Sequence, residues 1–577
     1  MIILGINAYH PDASVALLKD GALIWAGEEE RFNRIKHSSG FPQLALKQCL
    51  RDCGMASSDV DVVAISKNPQ ANFRRKLLFA LTALREPVFL ANRVKAFRKT
   101  SQFQQDYFRA LSIQASSVRI KFVHVEHHCA HAASSFFLSG FENAAFLSLD
   151  GMGDFSSAMW GHGEGNKLRI LDRIYFPHSA GFLYTAGTQF LGFLNFGDEY
   201  KVMGLAAYGK PVYVEHFNRM IRLLPKGRFE LDLAFFRHQN GLAKVRWEAG
   251  KPEQDLMFSE RWLDLLGKPR QAQDPITDRD QNIAASLQAV LEEIYFHILN
   301  HLHEVTHQEN LCLAGGVAFN SVANGKIASR TSFRRVFIQP AAGDAGTAIG
   351  AAAYADRALY NRKGSFKMTR ADYGNQWSEA EIKNAIEAKG MHLEKLTEDA
   401  LLRKTAHALA DGKIVGWFQG RMEFGPRALG HRSILADPRR QEMKDRLNQR
   451  IKHRENFRPF APSVPEEDAD QFFEMDEGDS PFMLKVFPVK QEKKSVIPAA
   501  THVDGTARVQ TVSRDSNPRF WNLLREFGKL TGVPVLLNTS FNENEPIVCS
   551  IKDALDCFQS THMDLLVIEN YWIEKQK

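Results

Sequence analysis

The feature that most constrains this fold is a hairpin pattern that occurs twice. Residues 2–6 are an apolar run, 7–12 a polar turn, 14–18 a second run, Lys19-Asp20-Gly21 a hairpin turn and 22–26 a third run. The order returns near residue 145. There 145–149 is apolar, Asp150-Gly-Met-Gly-Asp154 reads as a Gly/Asp turn, 157–161 is a second run, 163–167 is polar and 168–176 is a third. Two such hairpins, each opening on a polar turn, predict a duplicated α/β domain with the turns facing across a cleft, where sheets of this kind bind ligand. Two later segments read as strand, glycine turn and helix. One is 310–313 with Ala314-Gly-Gly-Val-Ala-Phe-Asn320, and the other is 335–338 with Gln339-Pro-Ala-Ala-Gly-Asp-Ala-Gly346. Glycine lets backbone N–H groups approach a phosphate or adenosine, and a helix N-terminus favours the anion.

A polar stretch over 361–378 reads as a linker. It sets off a first domain, 1–360, from a second α/β domain, 379–577.

The motif His127-His128-Cys129-Ala130-His131 lies in a helix-compatible stretch, so His127 and His131, four residues apart, share one face. Asp150 and Asp344 are placed to add carboxylates from the two lobes. Two His and two Asp suit a divalent ion: iron(II) first, with manganese or zinc as alternatives. His128 is a competitor pointing elsewhere.

In the second domain, 413–418 reads as a strand running into Gln419-Gly-Arg-Met-Glu-Phe-Gly-Pro-Arg-Ala-Leu-Gly-His-Arg-Ser433. Arg421, Arg427 and Arg432 fall here among glycines; Arg458 and the Asn538-Thr-Ser540 segment follow. Arginine forks bind phosphate oxygens in pairs. The set predicts a site for several phosphates, or for a phosphate beside a planar carbamoyl group. A basic stretch over 74–99 reads as the charged face of a packed helix, with an anionic acceptor or a membrane surface as the alternative.

The net charge of +6, from 73 basic and 67 acidic residues, is too mild to argue for nucleic acid. Six cysteines without a CxxC pair fit reduced thiols. No apolar run reaches 18 residues and the opening MIILGINAYH lacks a signal-peptide pattern, so a cytoplasmic protein without a membrane span is expected.

Together these residues resemble the carbamoyltransferase family of antibiotic and nodulation-factor biosynthesis, the NodU/CmcH/TobZ group. The matching pieces are Glu28-Glu-Glu-Arg-Phe-Asn-Arg-Ile-Lys-His37, His127–His131, Asp150–Asp154, Lys201-Val-Met-Gly-Leu-Ala-Ala-Tyr-Gly209, the two glycine turns, Gly425-Pro-Arg-Ala-Leu-Gly-His-Arg-Ser433, Asn456-Phe-Arg-Pro-Phe460 and Leu537-Asn-Thr-Ser-Phe-Asn542. The resemblance implies a TsaD-like domain of the actin/sugar-kinase type followed by a YrdC-like α/β domain. It implies that the second domain makes carbamoyl adenylate from ATP, with magnesium, and carbamoyl phosphate. The first then passes the carbamoyl group to the hydroxyl of a small-molecule acceptor, a natural product or saccharide, and releases AMP. In these terms His127, His131, Asp150 and Asp344 hold the metal. Gly151, Gly153, Gly315, Gly316, Asn320 and Gly343 face the nucleotide. Arg421, Arg427, Arg432, Arg458, Asn538 and Ser540 bind carbamoyl phosphate and ATP. His10, Asp12, Lys36 and Lys201 are the candidates to orient or deprotonate the acceptor. One departure is that the family carries His directly before Asp-Ala-Ser, where this chain has His10-Pro11-Asp12. A metabolite kinase of the same superfamily and an inactive nucleotide-binding protein are the competing readings. Acceptor identity, O- against N-carbamoylation and self-association stay open.

Overall fold

Both hairpins form inside five-stranded sheets; their first two strands are largely buried, whereas the third strand of the second hairpin, Lys167–Tyr175, is mostly not buried. In the first sheet, Ile2–Asn7 pairs antiparallel with Ser14–Lys19, which pairs antiparallel with Ala22–Glu28. On the other side of Ile2–Asn7 lie the parallel strands Val62–Ile65 and Lys121–His124. The second sheet repeats this plan. Asn143–Gly153, Ser156–Glu164 and Lys167–Tyr175 form the antiparallel meander, and Asn310–Ala314 and Arg335–Ile338 add in parallel beside its first strand. Numbered from its own first strand, each sheet has the spatial order third, second, first, fourth, fifth. This is the duplicated arrangement of actin and sugar kinases.

The computed structural model describes residues 1–82, 102–117, 119–240, 245–248, 250–364, 366–475 and 478–575. They divide into two compact units, Met1–Met368 and Thr369–Lys577. The stretch 361–378 is shared between them. Met368 N–H donates to Leu138 O (2.8 Å) in the first unit, whereas Gly374 N–H donates to Met422 O (2.8 Å) in the second.

The second hairpin departs from its expected form. Its first strand does not end at Asp150 but runs on to Gly153 through a register shift after Leu149, and the chain turns at Asp154 and Phe155, both at positive φ. The irregularity aims Asp150 out of the ladder. Two helices join the lobes of the first unit: His127–Phe136, buried at every position, and Gly346–Tyr354. They cross so closely that a Cβ on Gly350 would lie 1.7 Å from Ala130 O, and one on Gly5 would lie 1.9 Å from Ala348 O. Glycine therefore sets the spacing of the lobes.

The second unit is an eight-stranded mixed sheet. Its order is Leu393–Lys395, Tyr571–Glu574, Leu565–Ile568, Val415–Phe418, Arg432–Ala436, Leu536–Ser540, Ala461–Pro465, Gln510–Val512. Leu401, Leu409, Phe520 and Leu524, from helices Glu398–Ala410 and Pro518–Thr531, pack in one core. Ile382, Ile386, Leu555 and Phe558, from Glu379–Ala388 and Ile551–Ser560, pack in another. The fold class is thus α/β throughout, as expected. Of the basic stretch, Arg74 and Arg75 lie exposed on helix Phe73–Thr82; Arg85, Arg93, Lys95, Arg98 and Lys99 lie outside the described residues.

Candidate active site

In the first unit one turn of helix stacks His127 and His131, and their Nε2 atoms stand 3.1 Å apart. Asp150 Oδ2 is 3.2 Å from His127 Nε2 and 3.5 Å from His131 Nε2; Asp344 Oδ1 is 3.5 and 3.7 Å away from the same two atoms. One ligand atom from each of the four residues lies within 4.8 Å of the other three. Ligands about 2.1 Å from one ion stand roughly 3.0–3.4 Å apart, so the spacing fits a shared divalent cation. Among the described residues neither buried Nδ1 has a hydrogen-bond partner, which leaves Nε2 as the working end of each ring. Burial opposes charge on His131, but Asp150 and Asp344 raise it to about 9. Burial and then the Asp150 charge push the Asp344 carboxyl up.

The surroundings hold these ligands in place. Gly316 N–H donates to Asp150 Oδ1 (3.0 Å), and Asp154 Oδ2 accepts from His127 N–H (2.9 Å) and from Asn68 N–H (2.8 Å). Gly315 sits at φ 91°, and a Cβ there would meet Leu149 O at 2.3 Å. At Gly153 a Cβ would lie 2.0 Å from His127 Cδ2, whereas Gly151 is bordered at 3.4 Å by Phe182 and Gly343 at 3.0 Å by Phe319. Asn320 exchanges two hydrogen bonds with Gln288 (2.8 and 3.0 Å) and caps helix Ser321–Asn324, so its amide is committed internally. His128 is settled too, because its ring nitrogens meet Ser148 Oγ and Ser156 O.

Of the proton-transfer candidates, His10 lies against the cluster, with Nδ1 3.7 Å from Asp344 Oδ2 and its ring stacked 5.0 Å from His127. Burial and the nearby Lys67 charge hold it well below the usual histidine range. Asp12 turns away to meet His37 Nδ1 at 2.8 Å. Lys36 is exposed, and Lys201 pairs with Asp198 at 3.2 Å over the Phe193 ring. His37 closes the Glu28–His37 motif, and that position is the one signal by which sequence could have singled it out.

In the second unit the four expected arginines separate. Arg421 donates to Gly374 O and Tyr373 O. Arg432 is fully buried, donates to Gln419 O, His431 O and Gly420 O, and lies 3.6 Å over the Phe418 ring. Burial lowers it to about 10. Both therefore brace the loop. Arg427, Arg458 and Arg454 instead lie close enough to Arg508 that their like charge, after burial, pushes it well below the ordinary arginine range. Among the described residues no carboxylate pairs with Arg508. Arg458 pairs with Glu455 at 3.6 Å. Asn538 donates to Ser463 Oγ and Gln510 Oε1, and its own Oδ1 is buried and unpartnered. Ser540 and Asn542 gather on the buried Lys452, whose Nζ donates to Ser540 O (2.6 Å), Asn542 O (2.7 Å) and Asn542 Oδ1 (2.7 Å). Lys452, Arg454 and Arg508 stand alone in sequence without a motif to mark them.

The fold and sites define a two-unit α/β protein: a duplicated lobed unit carrying a buried His/Asp cluster, and a second unit in which the charges of Arg427, Arg454 and Arg458 act on the buried Arg508. Residues 2–353 match the carbamoyltransferase N-terminus model and 406–575 the carbamoyltransferase C-terminus model, so the chain belongs to the carbamoyltransferase family and is a transferase. It is 39% identical to the nodulation protein NolNO of Sinorhizobium fredii, over 99% of this chain and 80% of that one. It is 40% identical to an uncharacterised protein of Synechocystis sp., over 99% and 96%. Among solved structures, HypF of T. kodakarensis aligns over 62% of this chain and 47% of its own at 14% identity, with a TM-score of 0.30. Among the described residues no helix is long and apolar enough to cross a membrane.

Proposed function

We propose that the protein is an ATP-dependent O-carbamoyltransferase with divided labour. The second unit converts carbamoyl phosphate, water and ATP into carbamoyl adenylate with release of phosphate and pyrophosphate, and the first moves the carbamoyl group to the hydroxyl of a small-molecule acceptor and releases AMP. The observation that carries this reading is the pairing of the two sites in a chain of this family: a four-ligand His/Asp cluster in one unit and a four-arginine cluster in the other.

In the second unit Arg427, Arg454, Arg458 and Arg508 bind and neutralise phosphate oxygens as charge shifts between them, an effect of about 10²–10³ in rate for one key donor. Lys452 fixes Ser540 and Asn542 beside this field. In the first unit His127, His131, Asp150 and Asp344 would hold a divalent ion, and two imidazoles with two carboxylates suit iron(II), manganese or zinc. When bound, the ion supplies Lewis acidity and a template for a phosphate or carbamoyl oxygen. Gly315 and Gly316 position Asp150, and His10 lines the cluster.

The testing measurement is pyrophosphate release by purified protein given ATP, magnesium and carbamoyl phosphate with no acceptor. Release that needs carbamoyl phosphate is the expected result. ADP formed on a phosphorylated acceptor, with no pyrophosphate, would overturn the reading in favour of a kinase.

A further inference from the structure

A loop ties the metal cluster to a second pair of groups. Asn7 Nδ2 donates to Pro11 O and Asp12 O, both at 3.0 Å, and Ser66 Oγ donates to Asn7 Oδ1 at 3.2 Å. Thr347 Oγ1 lies 2.8 Å from Ser66 Oγ, three residues beyond Asp344. Tyr9 and Asp12 take left-handed backbone angles, φ 64° and 54°, between these anchors. The chain so bent sends His10 toward Asp344 and Asp12 the other way, onto His37.

His37 is held from several sides. Asp12 Oδ1 is 2.8 Å from Nδ1, Glu30 Oε2 accepts the His37 backbone N–H at 2.8 Å, and the ring lies edge-on to Phe196 at 5.4 Å. Gly197, at φ 84°, adjoins the ring's other nitrogen, where any Cβ would come within 2.6 Å of Nε2. The side chains of His37 and Asp12 are 26% and 27% exposed, whereas those of His127 and His131 are wholly buried. A carboxylate on Nδ1 selects the Nδ1–H tautomer and leaves the Nε2 lone pair free to accept a proton. Glu30 is spent on the backbone N–H and on Arg31, so Asp12, Glu30 and His37 are a positioned imidazole and not an open ligand set.

We propose that His37, oriented by Asp12, is the general base of the transfer step; this rests on the adenylate reading above. The acceptor oxygen bonds to the carbamoyl carbon as its proton passes to His37 Nε2. The bond from that carbon to the phosphoryl oxygen breaks, and AMP leaves with the electron pair. The imidazolium, stabilised by Asp12, then returns its proton to solvent. The work falls to His37 because His10, the nearer histidine to the cluster, has its Nε2 buried and its side chain only 14% exposed, against 26% for His37.

The test uses full-length protein with ATP, magnesium and carbamoyl phosphate, and reads AMP release with either of two probes. Glycerol offers a hydroxyl that needs a base; hydroxylamine is nucleophilic as the free amine and needs none. In His37→Asn the amide nitrogen can replace Nδ1 in the bond to Asp12, but nothing replaces Nε2. The expected result is a fall of about 10²-fold in the ratio of glycerol to hydroxylamine turnover, the size of a lost general base. Asp12→Asn should lower the ratio less. An unaltered ratio in a His37→Asn protein of wild-type melting temperature overturns the assignment, as does a wild type that uses hydroxylamine but not glycerol. Pyrophosphate is read before either probe is added. Its absence from wild type sinks the adenylate reading, and this assignment with it, at a step that identifies which failed.

Discussion

Gly153 matters to the cluster as much as any ligand does. A methyl group there would stand 2.0 Å from His127 Cδ2, and His127 is wholly buried with no room to retreat. Gly153→Ala should therefore lower bound metal several-fold in elemental analysis of the purified protein, with pyrophosphate release retained. A second residue reports on acid stability. Burial pushes His238 down to about 4, and its Nε2 meets Pro177 O at 2.8 Å. The folded value lies below the unfolded one of about 6.5. Its contribution is therefore complete above that pH and is lost as pH falls toward 4, because the unfolded chain takes up the proton first. His238→Gln keeps a donor for Pro177 O but cannot titrate, so urea midpoints for this variant should fall less steeply between pH 6.5 and 4 than for wild type. Sequence disclosed His127, His131, Asp150 and Asp344 because helical spacing and repeated turns mark them. The Asp12–His37 contact and the Arg508 cluster join residues far apart in the chain, and only the fold brings these together.

At the scale of elements, the critical joint is the crossing of His127–Phe136 with Gly346–Tyr354. A Cβ on Gly350 would penetrate to 1.7 Å from a backbone carbonyl, Ala130 O, which cannot move aside as a side-chain end could. Overpacking of a core costs about 1–3 kcal/mol where neighbours can relax, and Gly350→Ala should reach at least the upper part of that range. The measurement is urea unfolding at neutral pH, and a loss below about 1 kcal/mol would mean that the helices part easily. The same crossing carries His131, so metal affinity should fall along with stability. Strand order was legible because the strands of both hairpins read as apolar runs between turns. The extension of Asn143–Gly153 past Asp150 was not, because glycine and aspartate there signal a turn while a register shift keeps the chain extended. By its polarity the stretch 361–378 reads as a linker. Yet Ala371–Gly374 is buried and hydrogen-bonded to the loop around Met422, since polar composition reports on side chains and not on which backbone groups find partners.

For the whole molecule, the division into Met1–Met368 and Thr369–Lys577 gives the chemistry a testable partition. His131 and Arg427 lie in different units, one beside the carboxylates of the His/Asp cluster and the other among the arginines whose charge acts on Arg508. If each unit performs one half-reaction, their losses must be opposite in kind. His131→Ala removes a ligand and should stop AMP release to an acceptor while pyrophosphate still forms from ATP and carbamoyl phosphate. Arg427→Ala removes charge from the arginine cluster and should depress pyrophosphate release by about 10²-fold, on the scale of a lost electrostatic donor, yet process carbamoyl adenylate supplied from outside. Chelation of wild-type protein, with magnesium restored afterwards, should reproduce the His131 phenotype and not the Arg427 one, because the arginine cluster needs no resident ion to hold its shape. The two variants thus test whether the split in structure is a split in function. Failure of both half-reactions in a folded His131→Ala protein would mean that the first unit takes part in making the adenylate as well as spending it.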